Sequence, residues 1–327
     1  MKGGGIPTFH IHDATYCTHL LLIFIYVLGS VLLFHYSAPH DDKIGEKAGA
    51  VFVFNRIGDV WEQQARFVPA DQAPLDKFGY DLGINDDATL AIVSSIWKED
   101  GLGTAYIFTL TNMGWEEEAK LLPDDGISMD HFGFHVDISG DIAIVGSPWR
   151  DDFGDKSGAA YIFSRTSTNT WEQQVKLVPD DVGLDHRFGE RVAIDGERAV
   201  MTSWRSSLTG SAYVYKLVNA SWELQAKLLP NELEEGNFGF GLGLAFKGDT
   251  VVVGAPSGRG VHPGSVHIFT LNDDETWTQQ AALTPHDGNQ GDEFGFAVAL
   301  SEEDAIIVAP ARPNEFVGSV FFIDLCY

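Results

Sequence analysis

Three tryptophans in this chain are each followed by a cation: Trp97-Lys98, Trp149-Arg150 and Trp204-Arg205. An indole beside a charged donor combines a stacking face with a hydrogen bond, which suits sugar rings or acidic glycans. The opposing reading is that each indole covers apolar surface at the end of its own strand. The loop RDDFGDKSG adds three carboxylates, Asp151, Asp152 and Asp155. Calcium takes about six to eight oxygens, so this loop is the strongest candidate for it; a solvated acidic turn is the alternative. A single N-glycosylation sequon, Asn219-Ala220-Ser221, is present.

Catalytic patterns are missing. There is no GxSxG, HExxH, Walker loop or CxxC, and the eleven histidines are scattered. His131 and His186 stand beside Phe-Gly pairs and read as turn residues. The doublets Asp124-Asp125 and Asp180-Asp181 are adjacent in sequence, so their side chains diverge on a strand or turn. That does not suit a general acid/base pair. The residues predict a non-catalytic protein without a required cofactor.

The 327 residues carry 47 acids against 21 bases, a net charge of −26. Phosphate backbones would be repelled, which excludes nucleic acid as a partner. The only cysteines are Cys17 and Cys326, so the fold needs no disulfide, and the scarcity of thiols is compatible with a secretory compartment.

Residues 20–34 read LLLIFIYVLGSVLLF, and extension to Tyr16 and Tyr36 gives 21 residues without a charge. An apolar run of that length predicts a membrane-crossing helix. It is either an uncleaved signal anchor or a cleaved signal peptide, although Tyr36, Ala38 and Pro39 make a poor cleavage site. Lys2 precedes the run while Asp41 and Asp42 follow it, which points the following domain away from the cytosol. The expected organisation is a tail over 1–15, the hydrophobic helix over 16–36, a linker over 37–47 and a repeat domain over 48–325. The protein is then single-pass with its domain outside the cytosol, or else secreted.

Everything after residue 47 is repetitive. A tryptophan opens an alternating strand at Trp61, Trp115, Trp171, Trp222 and Trp277. A Phe-Gly pair recurs at Phe78, Phe132, Phe188, Phe238 and Phe294, at intervals of 50 to 56 residues. A glycine-led apolar strand begins at Gly49, Gly103, Gly158, Gly210, Gly264 and Gly318. Runs such as AIVG and VVVG read as strands buried on both faces, while WEQQVKLV alternates as a half-exposed margin strand does. Four strands per unit, with the polar one outermost, describe a propeller blade. The glycine of each Phe-Gly pair is expected at positive φ or at a close backbone approach. The fold class is therefore all-β, a β-propeller of about five four-stranded blades. Five Trp strands and six glycine-led strands predict closure by the Trp61 strand completing the C-terminal unit.

At Phe238-Gly239 with Gly254-Ala255-Pro256, and at Phe132-Gly133 with Gly146-Ser147-Pro148, the chain resembles the FG-GAP repeat family, whose repeats build the integrin α-chain propeller. The likeness covers residues 48–325. It implies an extracytoplasmic recognition or adhesion domain that binds protein or glycan. The chain departs from the integrin pattern in having material for five blades rather than seven. The loops equivalent to the family's calcium loops, such as SGDIA from Ser139 and KGDTV from Lys247, hold only one or two acids. A glycan-active enzyme with its site at the channel mouth, and a paralogue without ligand, are the competing readings.

Overall fold

The computed structural model describes residues 23–28, 31–38, 45–57, 60–167, 170–206, 209–231, 239–256, 262–286, 288–289, 291–301, 304–309 and 319–324. The first sheet comprises β1 (Ile23–Leu28), β2 (Val31–Ala38), β3 (Ala50–Ile57) and β4 (Val60–Phe67). The second comprises β5 (Leu82–Ile84), β6 (Leu90–Ser95), β7 (Thr104–Thr111) and β8 (Gly114–Leu121). The third is β9 (Val136–Ser139), β10 (Ile142–Ser147), β11 (Ala159–Arg165) and β12 (Trp171–Leu177). The fourth is β13 (Val192–Asp195), β14 (Arg198–Ser203), β15 (Ser211–Val218) and β16 (Ser221–Leu228). The fifth is β17 (Gly243–Lys247), β18 (Thr250–Ala255), β19 (Ser265–Leu271) and β20 (Trp277–Leu283). Three strands form the sixth: β21 (Ala297–Leu300), β22 (Asp304–Ala309) and β23 (Ser319–Asp324).

Each sheet is an antiparallel meander, with strands paired in chain order. The third and fourth strands of the first five sheets slip by one residue at the same place, for example between Ile107 and Phe108. A repeated bulge of this kind adds twist to the sheet margin. The innermost strands β5, β9, β13, β17 and β21 stand side by side. Lys247 at the end of β17 reaches Asp86 beside β5 at 2.9 Å although 161 residues separate them. Inner strands that converge in this way make the assembly a β-propeller.

The core consists of seams between consecutive sheets. One packs Ile92 and Ile107 of the second sheet against Phe132, Ile138 and Tyr161 of the third. The next seam repeats the plan with Ile144, Ile162, Phe188 and Tyr213. Phe78, Phe132 and Phe188 are fully buried, each with its ring edge on a strand tyrosine. The recurring glycines follow from contact. Gly103 has φ +88°, and a Cβ there would lie 2.0 Å from the Phe132 carbonyl oxygen, so only glycine fits. Gly133 of the Phe-Gly pair has φ +90°, as the sequence requires.

Three expectations need correction. The N-terminal hydrophobic helix is not shown: β1 and β2 occupy much of the apolar run, β1 pairing with β2 (Ile23 opposite Tyr36) and β2 with β3 (Tyr36 opposite Phe52). Among the described residues no helix is long and apolar enough to cross a membrane. Gly29-Ser30 divides the run into two strand-length halves, and a strand buried on both faces has the composition of a buried helix. Residues 1–22, and so the 1–15 tail, lie outside the described residues. Second, the Trp61 strand pairs with β3, not with the C-terminal sheet. Only two residues separate β3 from β4, so this hairpin closes at far smaller entropic cost than pairing between the chain ends. Among the described residues five sheets have four strands and a sixth has three. Third, the fourth landmark is Phe240-Gly241. The Gly241 N–H donates to the Gly254 carbonyl at 3.0 Å, as that of Gly133 does to Gly146. Phe238 lies outside the described residues.

Candidate functional site

The three tryptophan loops are brought together, but by different residues from those adjacent in sequence. Lys77, His131 and Arg187 immediately precede Phe78, Phe132 and Phe188, and all three have φ between 53° and 56°. That left-handed turn swings each side chain in beside the indoles. Lys77 Nζ lies 4.9 Å from the Trp97 ring centre. His131 lies between Trp97 at 4.8 Å and Trp149 at 4.1 Å, stacked on the latter within 16°. Arg187 lies 6.0 Å from Trp149 and 5.6 Å from Trp204. Lys156 adds a cation 5.3 Å from Trp149, and Arg205 one 5.2 Å from Trp204. The result is a ladder of alternating indoles and cations or imidazole, crossing three sheets. Burial, assisted by the Lys77 charge, pushes the His131 imidazole down to about 4, so it is a neutral plate at pH 7.

Lys98 and Arg150 turn the other way. Lys98 is buried and donates to Asp76 at 2.9 Å and to the Asp71 carbonyl at 2.6 Å. Arg150 donates to Asp130 at 2.7 Å, to Asp152 at 2.9 Å and to the Asp125 carbonyl at 2.6 Å. These cations fasten loops; they are not presented to a ligand. Arg205 alone stands over the tryptophan that precedes it, and it also pairs with Asp185 at 2.6 Å. The indole faces are occupied by rungs of the ladder, so a sugar ring finds no open face. Ring edges and cation heads remain; Trp97 is 37% exposed.

The carboxylates proposed for calcium do not converge. Asp152 is held by Arg150 and Lys176, Asp151 accepts the Lys156 N–H at 2.8 Å, and Asp155 faces the Lys156 ammonium. Among the described residues no group of three or more histidine, cysteine or acidic side chains has metal-binding geometry. Asn219 and Ala220 form the exposed two-residue turn between β15 and β16, with φ 49° and 64°. His186 accepts the Gly183 N–H at 3.1 Å and is a turn residue.

Two networks escaped sequence reasoning. Tyr106 and Lys120 both donate to Asp71, Tyr161 and Lys176 to Asp125, and Tyr213 and Lys227 to Asp181. Each strap ties two strands of one sheet to the loop that leaves the sheet before it. Burial alone would raise the Asp125 carboxyl, but the bonds from Lys176 and Tyr161 and the Lys176 and Arg150 charges outweigh it and hold it low. The signal was the register of Tyr and Lys with an acid two residues after the proline that ends the preceding Trp strand, Pro69, Pro123 and Pro179. The other network lines the axis. Asp81 accepts the Val136 N–H at 2.8 Å, Asp137 that of Ile194 at 2.9 Å, Ser139 that of Gly196 at 3.0 Å and Asp195 that of Gly248 at 2.6 Å. Side chains of one inner strand thus satisfy the free edge of the next. Asp137 is half-buried and also accepts the Ile138 N–H at 2.9 Å. Burial pushes its carboxyl up to about 7, against its bonds from Ile194 and Ile138 and with help from Asp81 and Asp195. Burial likewise raises Glu190.

The FG-GAP repeat profile matches the chain five times, over residues 61–108, 115–163, 171–215, 222–269 and 277–322. No curated protein matches it.

Proposed function

We propose that this chain, which belongs to the FG-GAP repeat family, is a non-catalytic recognition or adhesion domain acting outside the cytosol. The observation that carries the reading is the ladder. Lys77, Trp97, Trp149, Arg187, Trp204 and Arg205 form one stripe across three sheets, in a chain with a net charge of −26. A partner meets ring edges and cation heads there, which favours a protein, or a glycan held by its acidic groups, over a stacked neutral sugar. The propeller arrangement of the sheets places this stripe on consecutive blades. Export fits the exposed sequon turn at Asn219. A spanning helix over 16–36 would require β1 and β2 to leave the first sheet, so secretion is the favoured form.

The enzyme reading finds little support along the channel. Asp81 and Asp137 accept backbone N–H groups of the neighbouring sheet, so they hold the ring and are not turned to a substrate. The test is a screen of the full chain against arrayed glycans and extracellular proteins, with Lys77→Ala/Arg187→Ala beside wild type. Binding that disappears in this variant, with an unchanged unfolding midpoint, supports the stripe. Equal binding by both proteins refutes it.

A further inference from the structure

The seams share one more device, and one seam lacks it. Two residues after the tryptophan of three outer strands, a side-chain oxygen accepts a backbone N–H from the loop of the preceding sheet. Glu117 takes that of Ala70 at 2.8 Å, Gln173 that of Asp124 at 3.1 Å, and Gln279 that of Asn231 at 2.9 Å. At the seam between the third and fourth sheets this position is Leu224, which has no acceptor and is 49% exposed. The corresponding Asp180 N–H has no acceptor among the described residues. A second departure stands beside it. β15 carries Tyr215 where β7, β11 and β19 carry Phe108, Phe163 and Phe269.

Together these two changes line a cleft of about 230 Å³, with Val178, Pro179 and Asp180 on one wall and Tyr213, Tyr215 and Leu224 on the other. Val178, Pro179, Leu224 and the two tyrosine rings make its walls mainly apolar and aromatic, and Asp180, Asp181 and Lys227 complete the lining. Two donors face it, the Asp180 N–H and the Tyr215 hydroxyl, with the Asp180 carboxylate at the rim. The nearby Asp181 is already held by Tyr213 and Lys227. Small-molecule sites run to roughly 300–1,000 Å³, so this cleft is sized for one large side chain. An apolar pocket that accepts a single anchor residue is the usual centre of a protein interface.

We propose that the cleft captures one aromatic or large aliphatic side chain of a partner polypeptide, with the adjoining backbone carbonyl accepting from Asp180 N–H and Tyr215. This rests on the recognition reading and supplies a partner class, but it does not depend on the ladder.

The experiment titrates N-acetyl-L-tryptophanamide, which joins an indole to two amide carbonyls, into the full chain, Leu224→Gln and Tyr215→Phe, followed by saturation-transfer NMR. Wild type should bind with Kd on the order of millimolar. Leu224→Gln restores the residue of the other seams; it should keep or raise the unfolding midpoint while weakening binding about tenfold or more. Tyr215→Phe, which is the residue of four other sheets (Phe54, Phe108, Phe163 and Phe269), should weaken it less. Absence of saturable binding, or equal binding in Leu224→Gln, overturns the proposal. So does preferential binding of N-acetylglucosamine at the same cleft, which would make the ligand a sugar. Leu224 lies outside the stripe, so loss at one site with retention at the other identifies which reading has failed.

Discussion

Replacing Asp137 with asparagine should reverse its effect on stability between acid and neutral pH. The carboxyl is pushed up to about 7, against about 3.9 in an unfolded chain. Between those values the folded protein holds a proton that the unfolded chain releases. Asp137 therefore contributes most at pH 4 and below, and its contribution falls as pH rises to 7. Three units at 1.36 kcal/mol each give a swing of about 4 kcal/mol. Asparagine has one oxygen for the Ile138 and Ile194 N–H groups, so the variant loses about 1–3 kcal/mol at every pH. It should be the less stable protein at pH 4 and the more stable, or equal, at pH 8. The wild-type curve alone will not reveal this. His131 and His267, held neutral by burial down to about 4, take up protons only on unfolding between there and 6.5, an opposite slope of about 3 kcal/mol each. The difference between the two proteins cancels those terms. Urea unfolding of both at half-unit intervals gives it, and exchange of the Ile194 amide reports the same step locally. A difference that stays constant within about 1 kcal/mol from pH 4 to 8 would refute the argument.

Two further substitutions test the scaffold. Gly103→Ala, whose Cβ would fall 2.0 Å from the Phe132 oxygen, should cost more than about 3 kcal/mol, whereas Gly114→Ala, with φ +111° and nothing within 4 Å, should cost only its backbone strain of about 1 kcal/mol. Thermal unfolding of the pair separates contact from conformation, and equal losses would sink the distinction. Asp125→Asn removes the centre of a strap whose carboxyl is 44% exposed, so after solvent screening the loss at pH 7 is about 1 kcal/mol. Because that carboxyl is held below the ordinary range, the loss should shrink as pH falls through its depressed value; a deficit that persists after wild type is fully protonated would contradict the assignment.

The scaffold was legible because each unit repeats one solution to the same contact. Glycine at 103 and phenylalanine at 132 are forced by a backbone approach that every seam makes, so their spacing carries the fold. The misread places were those where local pattern was degenerate. NFGFG offers two Phe-Gly pairs, and the later one lies 52 residues after Phe188 and 54 before Phe294, closer to the other intervals than Phe238 is. The apolar run before residue 37 has a composition that suits a helix or two apolar strands, and only Gly29-Ser30 distinguishes them.

The site was less legible, for a related reason. At two of the three pairs the tryptophan and the cation after it part company: the Trp149 indole joins the ladder while the Arg150 guanidinium goes to Asp130, and Lys98 likewise turns to Asp76. The rungs Lys77, His131 and Arg187 meet an indole of their own unit and, for the last two, one of the preceding unit, 17 to 38 residues away in the chain, and no local pattern announces them. In a chain built from repeats, shared residues serve the seams, as Gln173 and Gln279 do. Function unique to one face must then arise where a copy abandons the shared residue without losing the sheet. Leu224 and Tyr215 do so side by side, at the seam where the cleft opens. Departure from the repeat is thus a more telling mark of a binding site here than any chemical motif within it.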